Sequence, residues 1–357
     1  MRLPLPFAVA ATQLSSAGAA LLLSSCSSET VAQPPPAPVN WQSFQARPTP
    51  DAGPNVPTAK ERAVAETYAA ALASPGFAPL RSFLDDDAHF SFPGLDDAHG
   101  RDPIVHAHDL LLGAFGQRNV TTSRVWRTNS EQTVEWTMTA VHERPWVGIA
   151  ATRRQVTIKG LALLWTKDDG SITDIHLYFD VAVVKAELGV GPKELLDLAQ
   201  HASAAASYST PPGPLVVEQV DSADEKFNVA LGRAALDALE NNKLNDYEAT
   251  IGDGVEIHTL ERPHPWHGKA DARAYFKAMH KAIGQLDTTV TDAWGIGSFA
   301  VLEYTIAGDQ IGPIGWIAAQ RDKAVRFHLV DVLEVTGGKI ARIWRYDNPA
   351  EIVATPL

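Results

Sequence analysis

Residues 325–352 read VRFHLVDVLEVTGGKIARIWRYDNPAEI, and this stretch decides the fold. Val330, Val332 and Val335 favour an extended chain, Gly337-Gly338 supplies the positive φ angles of a tight turn, and Ile340, Ile343 and Trp344 restart the pattern. The stretch therefore predicts two long antiparallel strands joined at Thr336-Gly337-Gly338-Lys339. Asp331 breaks the apolar run between Val330 and Val332, and a buried carboxylate needs either a partner or a raised pKa.

Working outward, the stretch has an earlier counterpart at an offset of 168 residues. Gly170, Ile172, Ile175 and Tyr178 return as Gly338, Ile340, Ile343 and Tyr346. The same diagonal pairs His99-Gly100 with His267-Gly268, Trp126 with Trp294, Glu135 with Glu303, and Pro145 with Pro313. Such a run on one ungapped diagonal indicates a duplicated domain.

Within each copy helices precede strands. Val64, Tyr68 and Ala71 share a helical face, as do Ile104, His108, Leu111 and Leu112; Phe227, Leu231, Ala234 and Ala238, then Tyr275, Met279 and Ile283, mark their counterparts. Strands are expected over 123–141, 154–165 and 172–184, then over 288–306, 324–335 and 340–348. Helices ahead of a strand meander predict an α+β domain with its helices on one face of a curved antiparallel sheet.

This order, with a Gly-x-Ile hairpin feeding an aromatic-rich last strand, resembles the nuclear-transport-factor-2-like superfamily. That is the cone-shaped, cystatin-like fold shared by ketosteroid isomerase, limonene epoxide hydrolase and SnoaL-like polyketide cyclases. The first copy resembles the SnoaL-like branch through Val134–His142 (VEWTMTAVH), Trp146–Thr152 (WVGIAAT), and Ile172–Gly189 with its Tyr178-Phe179-Asp180 ending. The resemblance implies an apolar pocket in each cone and leaves the reaction open.

It also suggests site residues. Beside the ketosteroid isomerase pattern, His258 falls at the position of the aspartate base, and Asp331 at that of the protonated acid that steadies the enolate. His258 and Asp331 are therefore the candidate catalytic pair, with Trp344 and Tyr346 as pocket walls. The alternative is an ion pair that only orders the pocket. The first helix of the second copy offers Ala234 or Ala235 where the family carries a tyrosine.

The first copy keeps Tyr68 at the tyrosine spacing but has Phe92 at the base position and no acid over Leu161–Leu163. His142 resembles the SnoaL-like histidine. His176, Tyr178 and Asp180 alternate and are expected to line a polar pocket mouth. Glu135 and Glu303 are expected to face water.

Composition bounds the rest. The chain has 357 residues, 45% hydrophobic and 20% charged, which leaves room for two domains. A net charge of -12 and a pI near 5.4 argue against a nucleic-acid partner. The His258–His267 segment holds three imidazoles and a carboxylate but two prolines and no helical His pair, so no metal is expected. No phosphate-binding glycine loop or nucleophile elbow is present, and no cofactor is expected.

The start of the chain has one arginine, an apolar run and then Leu23-Ser24-Ser25-Cys26. This ending resembles a lipoprotein lipobox, with Cys26 as the lipidated residue. The expected organisation is a signal peptide over 1–26, a Pro- and Ser-rich stalk over 27–57, domains over 58–200 and 222–357, and a linker over 201–221. The protein is expected outside the cytoplasm, anchored at Cys26 to a membrane, facing the periplasm or the cell surface. The expected activity is binding of a small hydrophobic molecule. The alternatives are proton transfer in the second domain, and protein association in which the two domains form an intramolecular pseudo-dimer.

Overall fold

The structure, a computed structural model, describes residues 59–191, 196, 215–262, 264–320 and 323–353, all within the compact unit Phe44–Leu357. The expected signal peptide, Cys26, the stalk and linker residues 201–214 lie outside the described residues. None of the described helices is long and apolar enough to cross a membrane.

The first domain opens with helix α1 (Ala59–Ala73) and a 3-10 segment, Pro75–Ser82. Strands β1 (Leu84–Ser91) and β2 (Ala98–His99) follow, then α2 (Arg101–Leu112), β3 (Phe115–Arg127), β4 (Glu131–His142), β5 (Gln155–Thr166), β6 (Ile172–Tyr178) and α3 (Val181–Glu187). A short strand, β7 (Leu215–Glu218), completes the sheet, whose order is β2-β1-β6-β5-β4-β3-β7.

The second domain repeats the plan. Helices α4 (Ala223–Glu240) and α5 (Leu244–Thr250) lead into β8 (Ile251–Thr259), β9 (Trp266–His267), α6 (Gly268–Ala282), β10 (Ile283–Ile296), β11 (Phe299–Gln310), β12 (Lys323–Thr336) and β13 (Lys339–Asp347). Its sheet order is β10-β11-β12-β13-β8-β9. Ser222 starts α4 with a full capping box: its hydroxyl accepts from Glu225 N–H, while the Glu225 carboxylate accepts from the Ser222 backbone.

The duplicated local signals have local causes. In the β12–β13 turn Gly337 and Gly338 take φ of 59° and 70°, and Thr336 pairs with Lys339. The repeated His-Gly step marks the entry to α2 and α6. Gly100 and Gly268 adopt φ of 81° and 76°, and a Cβ on either would stand 3.4 Å from the carbonyl oxygen of Asp86 or Asp253.

Two features differ from the sequence expectation. Each meander is closed by a parallel pair, β1 with β6 and β8 with β13, built from strands that the helix-then-strand pattern does not reveal. The last strand of the first domain stops at Tyr178 rather than running to Val184. Asp180 caps α3 there, accepting from the Ala182 and Val183 N–H groups at 2.7 and 3.2 Å.

Each sheet wraps its helices around an apolar interior. In the first domain this holds Leu72, Phe90, Trp136, Leu164 and Phe179; in the second, Leu239, Phe276, Leu302, Tyr304 and Leu333. A third apolar cluster lies between the outer faces of the two sheets, where Trp126, Leu163 and Trp165 meet Trp294, Phe299 and Val332. Glu135 and Glu303 sit in this seam. They do point away from the cones, but the facing domain, not water, covers them, and Glu303 is 2% exposed.

Candidate functional site

Strand alternation selects what enters the second cone. On β12 the inward residues include Leu329, Asp331 and Leu333; opposite, β13 sends in Ile343, Arg345 and Asp347, and β11 sends in Leu302 and Tyr304. Asp331 stands opposite both Leu302 and Arg345 in the ladders. Arg345 grips it with both prongs, Nε donating to Oδ1 at 2.8 Å and Nη2 to Oδ2 at 2.6 Å. The Tyr304 hydroxyl donates to Oδ2 at 2.8 Å and accepts from Arg345 Nη2 at 2.6 Å.

This polar trio lies at the base of an apolar pocket. Ala235, Leu236 and Leu239 of α4 form one wall and Leu302, Leu333 and Ile343 another, with the Tyr247 and Tyr275 rings between. The walls leave a small cavity of about 20 Å³, room for about one water, that opens to solvent on one side. Gly232 lets α4 approach so closely, since a Cβ there would stand 2.6 Å from Leu333 Cδ1.

The electrostatics follow from burial. Desolvation pushes the Asp331 carboxyl up to about 7, with the Tyr304 hydroxyl acting the other way. The forked guanidinium adds a stronger opposing pull, and protonating Asp331 would strand Arg345 as an unpaired buried cation. Asp331 is thus the ionised half of a buried ion pair, not the neutral acid expected from the sequence. Burial, joined by Glu261 and Asp180, raises Asp347 well above the carboxylate range, and its Oδ1 has no hydrogen-bond partner among the described residues.

The structure does not bring His258 and Asp331 together. Ile257 takes the inward place on β8, so His258 faces out and stacks on Trp344 with ring centroids 5.6 Å apart. Its Nε2 lies 3.3 Å from Glu256 Oε2, and burial lowers its pKa in spite of that carboxylate. Trp344 and Tyr346 likewise line the seam and not the pocket: Arg124 lies 3.7 Å above the Trp344 ring, and the Tyr346 hydroxyl donates to Glu135.

In the first domain the expected residues disperse. Tyr68 is buried in the cone, its hydroxyl 3.1 Å from His108 Nε2, and burial drives His108 down to about 4. His142 ends β4 with Nδ1 3.1 Å from the Thr152 hydroxyl, and burial lowers its pKa. Asp180 is the cap of α3, its carboxyl pushed up to about 7 by burial and by Glu261. Only His176 and Tyr178 converge, both on Glu303.

The two cones differ in one coherent respect. The ladders align Glu135, Leu161 and Tyr178 with Glu303, Val330 and Tyr346, so the counterparts of Tyr304, Asp331, Arg345 and Asp347 are Trp136, Ala162, Leu177 and Phe179. Each of these four polar side chains has an apolar counterpart in the first cone. Gly160 leaves room for Trp136, whose Cζ2 would lie 2.3 Å from a Cβ there.

The SnoaL-like domain family matches residues 64–175 and again 233–343, more than half of the chain. The chain belongs to the SnoaL-like domain family. No functionally curated protein matches it. Solved structures similar to single SnoaL-like halves include a candidate SnoaL-like polyketide cyclase from Jannaschia sp. CCS1, at 16% identity over 39% of this chain and 96% of that one, TM-score 0.35. TsrD from Streptomyces laurentii is 20% identical over 38% of this chain and all of its own, TM-score 0.34. An LEH-like epoxide hydrolase from M. tuberculosis is 19% identical over 36% of this chain and 89% of its own, TM-score 0.31.

Tyr304, Arg345 and Asp347 escape the sequence reading of this SnoaL-like protein, although Arg345-Tyr346-Asp347 alternates charge, aromatic, charge. Of the two α4 alanines, Ala235 lines the pocket wall, and the phenol beside Asp331 comes from β11.

Proposed function

We propose that the second SnoaL-like domain binds a small, mainly apolar molecule bearing one oxygen function. The apolar body enters where α4 parts from the sheet to admit it, and the oxygen meets Tyr304 and Arg345. The observation that carries this reading is the Tyr304–Asp331–Arg345 trio at the base of an apolar pocket, set against Trp136, Ala162 and Leu177 in the first cone. A buried ion pair that served stability alone gains nothing from an adjoining pocket, whereas a ligand oxygen can share its donors.

Native mass spectrometry of the purified protein with a panel of apolar ketones and alcohols tests it. Leu236→Trp, which fills the pocket, is expected to abolish binding, and Tyr304→Phe to weaken it about 10-fold, the worth of one buried hydrogen bond. Binding that survives both changes removes the reading.

A second reading is proton transfer without a cofactor. It is favoured by the two buried carboxyls on either side of Arg345, since burial raises both. The proton acceptor is then Asp331, and His258, on the opposite sheet face, has no part. Solvent-proton exchange into enones that is lost in Asp331→Asn and kept in His258→Ala supports this reading; the reverse pattern ends it.

The rest of the proposal concerns setting. The two domains act as one pseudo-symmetric unit, supported by the seam contacts, and the protein is secreted and tethered through lipid on Cys26, supported by the Leu23–Cys26 sequence. Metabolic labelling with a fatty acid, absent in Cys26→Ala, checks the tether.

A further inference from the structure

Three potential ligands that the sequence scatters over two strands meet on the outer face of the first sheet. His89 on β1 pairs with Asp174 on β6, and His176 follows two residues on along the same face. One donor atom from each lies within 4.8 Å of the others. His89 Nδ1 stands 3.3 Å from Asp174 Oδ1, close to the ~3.3 Å edge that two ligands of a tetrahedral zinc ion span at ~2.0 Å bonds.

We propose that His89, Asp174 and His176 form a site for a divalent transition-metal ion of the zinc class. Two imidazoles and one carboxylate are a donor set suited to such ions, with a coordination position left for a further ligand. The surroundings hold one ligating imidazole, His176, from its far side by a hydrogen bond and set a carboxylate near the other. His176 has its Nδ1 2.7 Å from Glu303 Oε1, and His89 has its Nε2 3.4 Å from Asp97 Oδ2. A carboxylate at one ring nitrogen fixes the tautomer and turns the other nitrogen's lone pair to a metal. The His99 ring, centred 4.7 Å from His89, is the nearest further imidazole.

Burial fits as well. The side chains of His89, Asp174 and His176 are 15, 8 and 12% exposed, shielded yet within reach of an entering ion. Asp174 and Asp97 flank the His89 ring at 3.3 and 3.4 Å, so a cation bound there lies close to two carboxylates. Because Glu303 comes from the second domain, loading the site also ties the two domains at the seam.

Titration of the chelator-stripped full chain with cobalt(II) and zinc(II) tests the site. The expected result is one cobalt per chain with the strong visible absorption of a low-coordinate centre, displaced by zinc, and a raised Tm. His89→Ala and His176→Ala are expected to abolish the absorption. Glu303→Gln is expected to weaken binding about 10-fold or more. Should the His variants fail to fold by circular dichroism, Asp174→Asn decides in their place. A folded, chelator-stripped wild type that shows no cobalt band on titration overturns the proposal, as does a band kept in the folded variants or lost in His258→Ala or His267→Ala.

Discussion

Tyr178 donates its hydroxyl hydrogen to Glu303 Oε1 across the seam, at 2.6 Å. The duplication returns this contact with the domains exchanged, as Tyr346 donating to Glu135. The countercharges differ: Glu135 is held by Arg124 of its own sheet, whose Nε donates at 2.6 Å, whereas Glu303 relies on His176 of the other domain. Burial works to raise both glutamates, yet these partners hold both below the usual range.

Removing either phenol leaves a buried carboxylate short of one donor. Tyr178→Phe and Tyr346→Phe are each expected to cost about 1–3 kcal/mol, read as a lowered urea midpoint. An unchanged midpoint in both variants would show that the seam hydrogen bonds contribute nothing net.

The Asp331–Arg345 pair makes a sharper prediction, because the first domain already contains its apolar alternative in Ala162 and Leu177. Arg345→Leu alone strands a buried carboxylate and is expected to cost about 3–5 kcal/mol. Asp331→Ala with Arg345→Leu together is expected to cost clearly less. Equilibrium denaturation of the two variants would contradict this if the double change proved the worse.

Packing around Gly160 sets a third test. A methyl group there would collide with Trp136 Cζ2 and stand 2.7 Å from the Tyr178 carbonyl oxygen. Gly160→Ala is expected to destabilise by about 1–3 kcal/mol, seen as a lower Tm by calorimetry. A Tm equal to the parent would mean that the first cone has slack.

The pH dependence follows from His108. Burial lowers its pKa from 6.5 to about 4, so between these values the unfolded chain takes up a proton that the folded chain refuses. Its contribution is full above pH 6.5 and is lost as pH falls toward 4, at about 1.4 kcal/mol per pH unit. Scanning Tm over this window should give a shallower slope in His108→Gln than in the parent; equal slopes would place the titration elsewhere.

The duplication, the hairpin turn and the α+β layering were legible because each leaves a local trace: Gly337-Gly338, the His-Gly steps, the periodic apolar faces. Asp331 was legible as an apolar run broken by charge. Its partner was not. A two-residue turn at 337–338 run out without interruption sets Asp331 opposite Trp344, but an irregularity at Glu334 and Val335 shifts the ladder by one and brings Arg345 there instead. The same parity turned Trp344, Tyr346 and His258 outward. No local pattern encodes a one-residue slip, and none encodes which sheet face a second domain will cover, so Glu135 and Glu303 read as solvent-facing.

One short strand carries a last consequence. β7 precedes the second repeat in sequence, yet it runs parallel to β3 in the first sheet, and directly after it Gln219 Nε2 donates to the Gly295 carbonyl at 2.9 Å. It closes an edge that would otherwise offer open backbone groups to another chain. A gene cut ahead of Leu215 would therefore strip the first domain of its border strand, and only a cut between Glu218 and Ser222 would leave it in place.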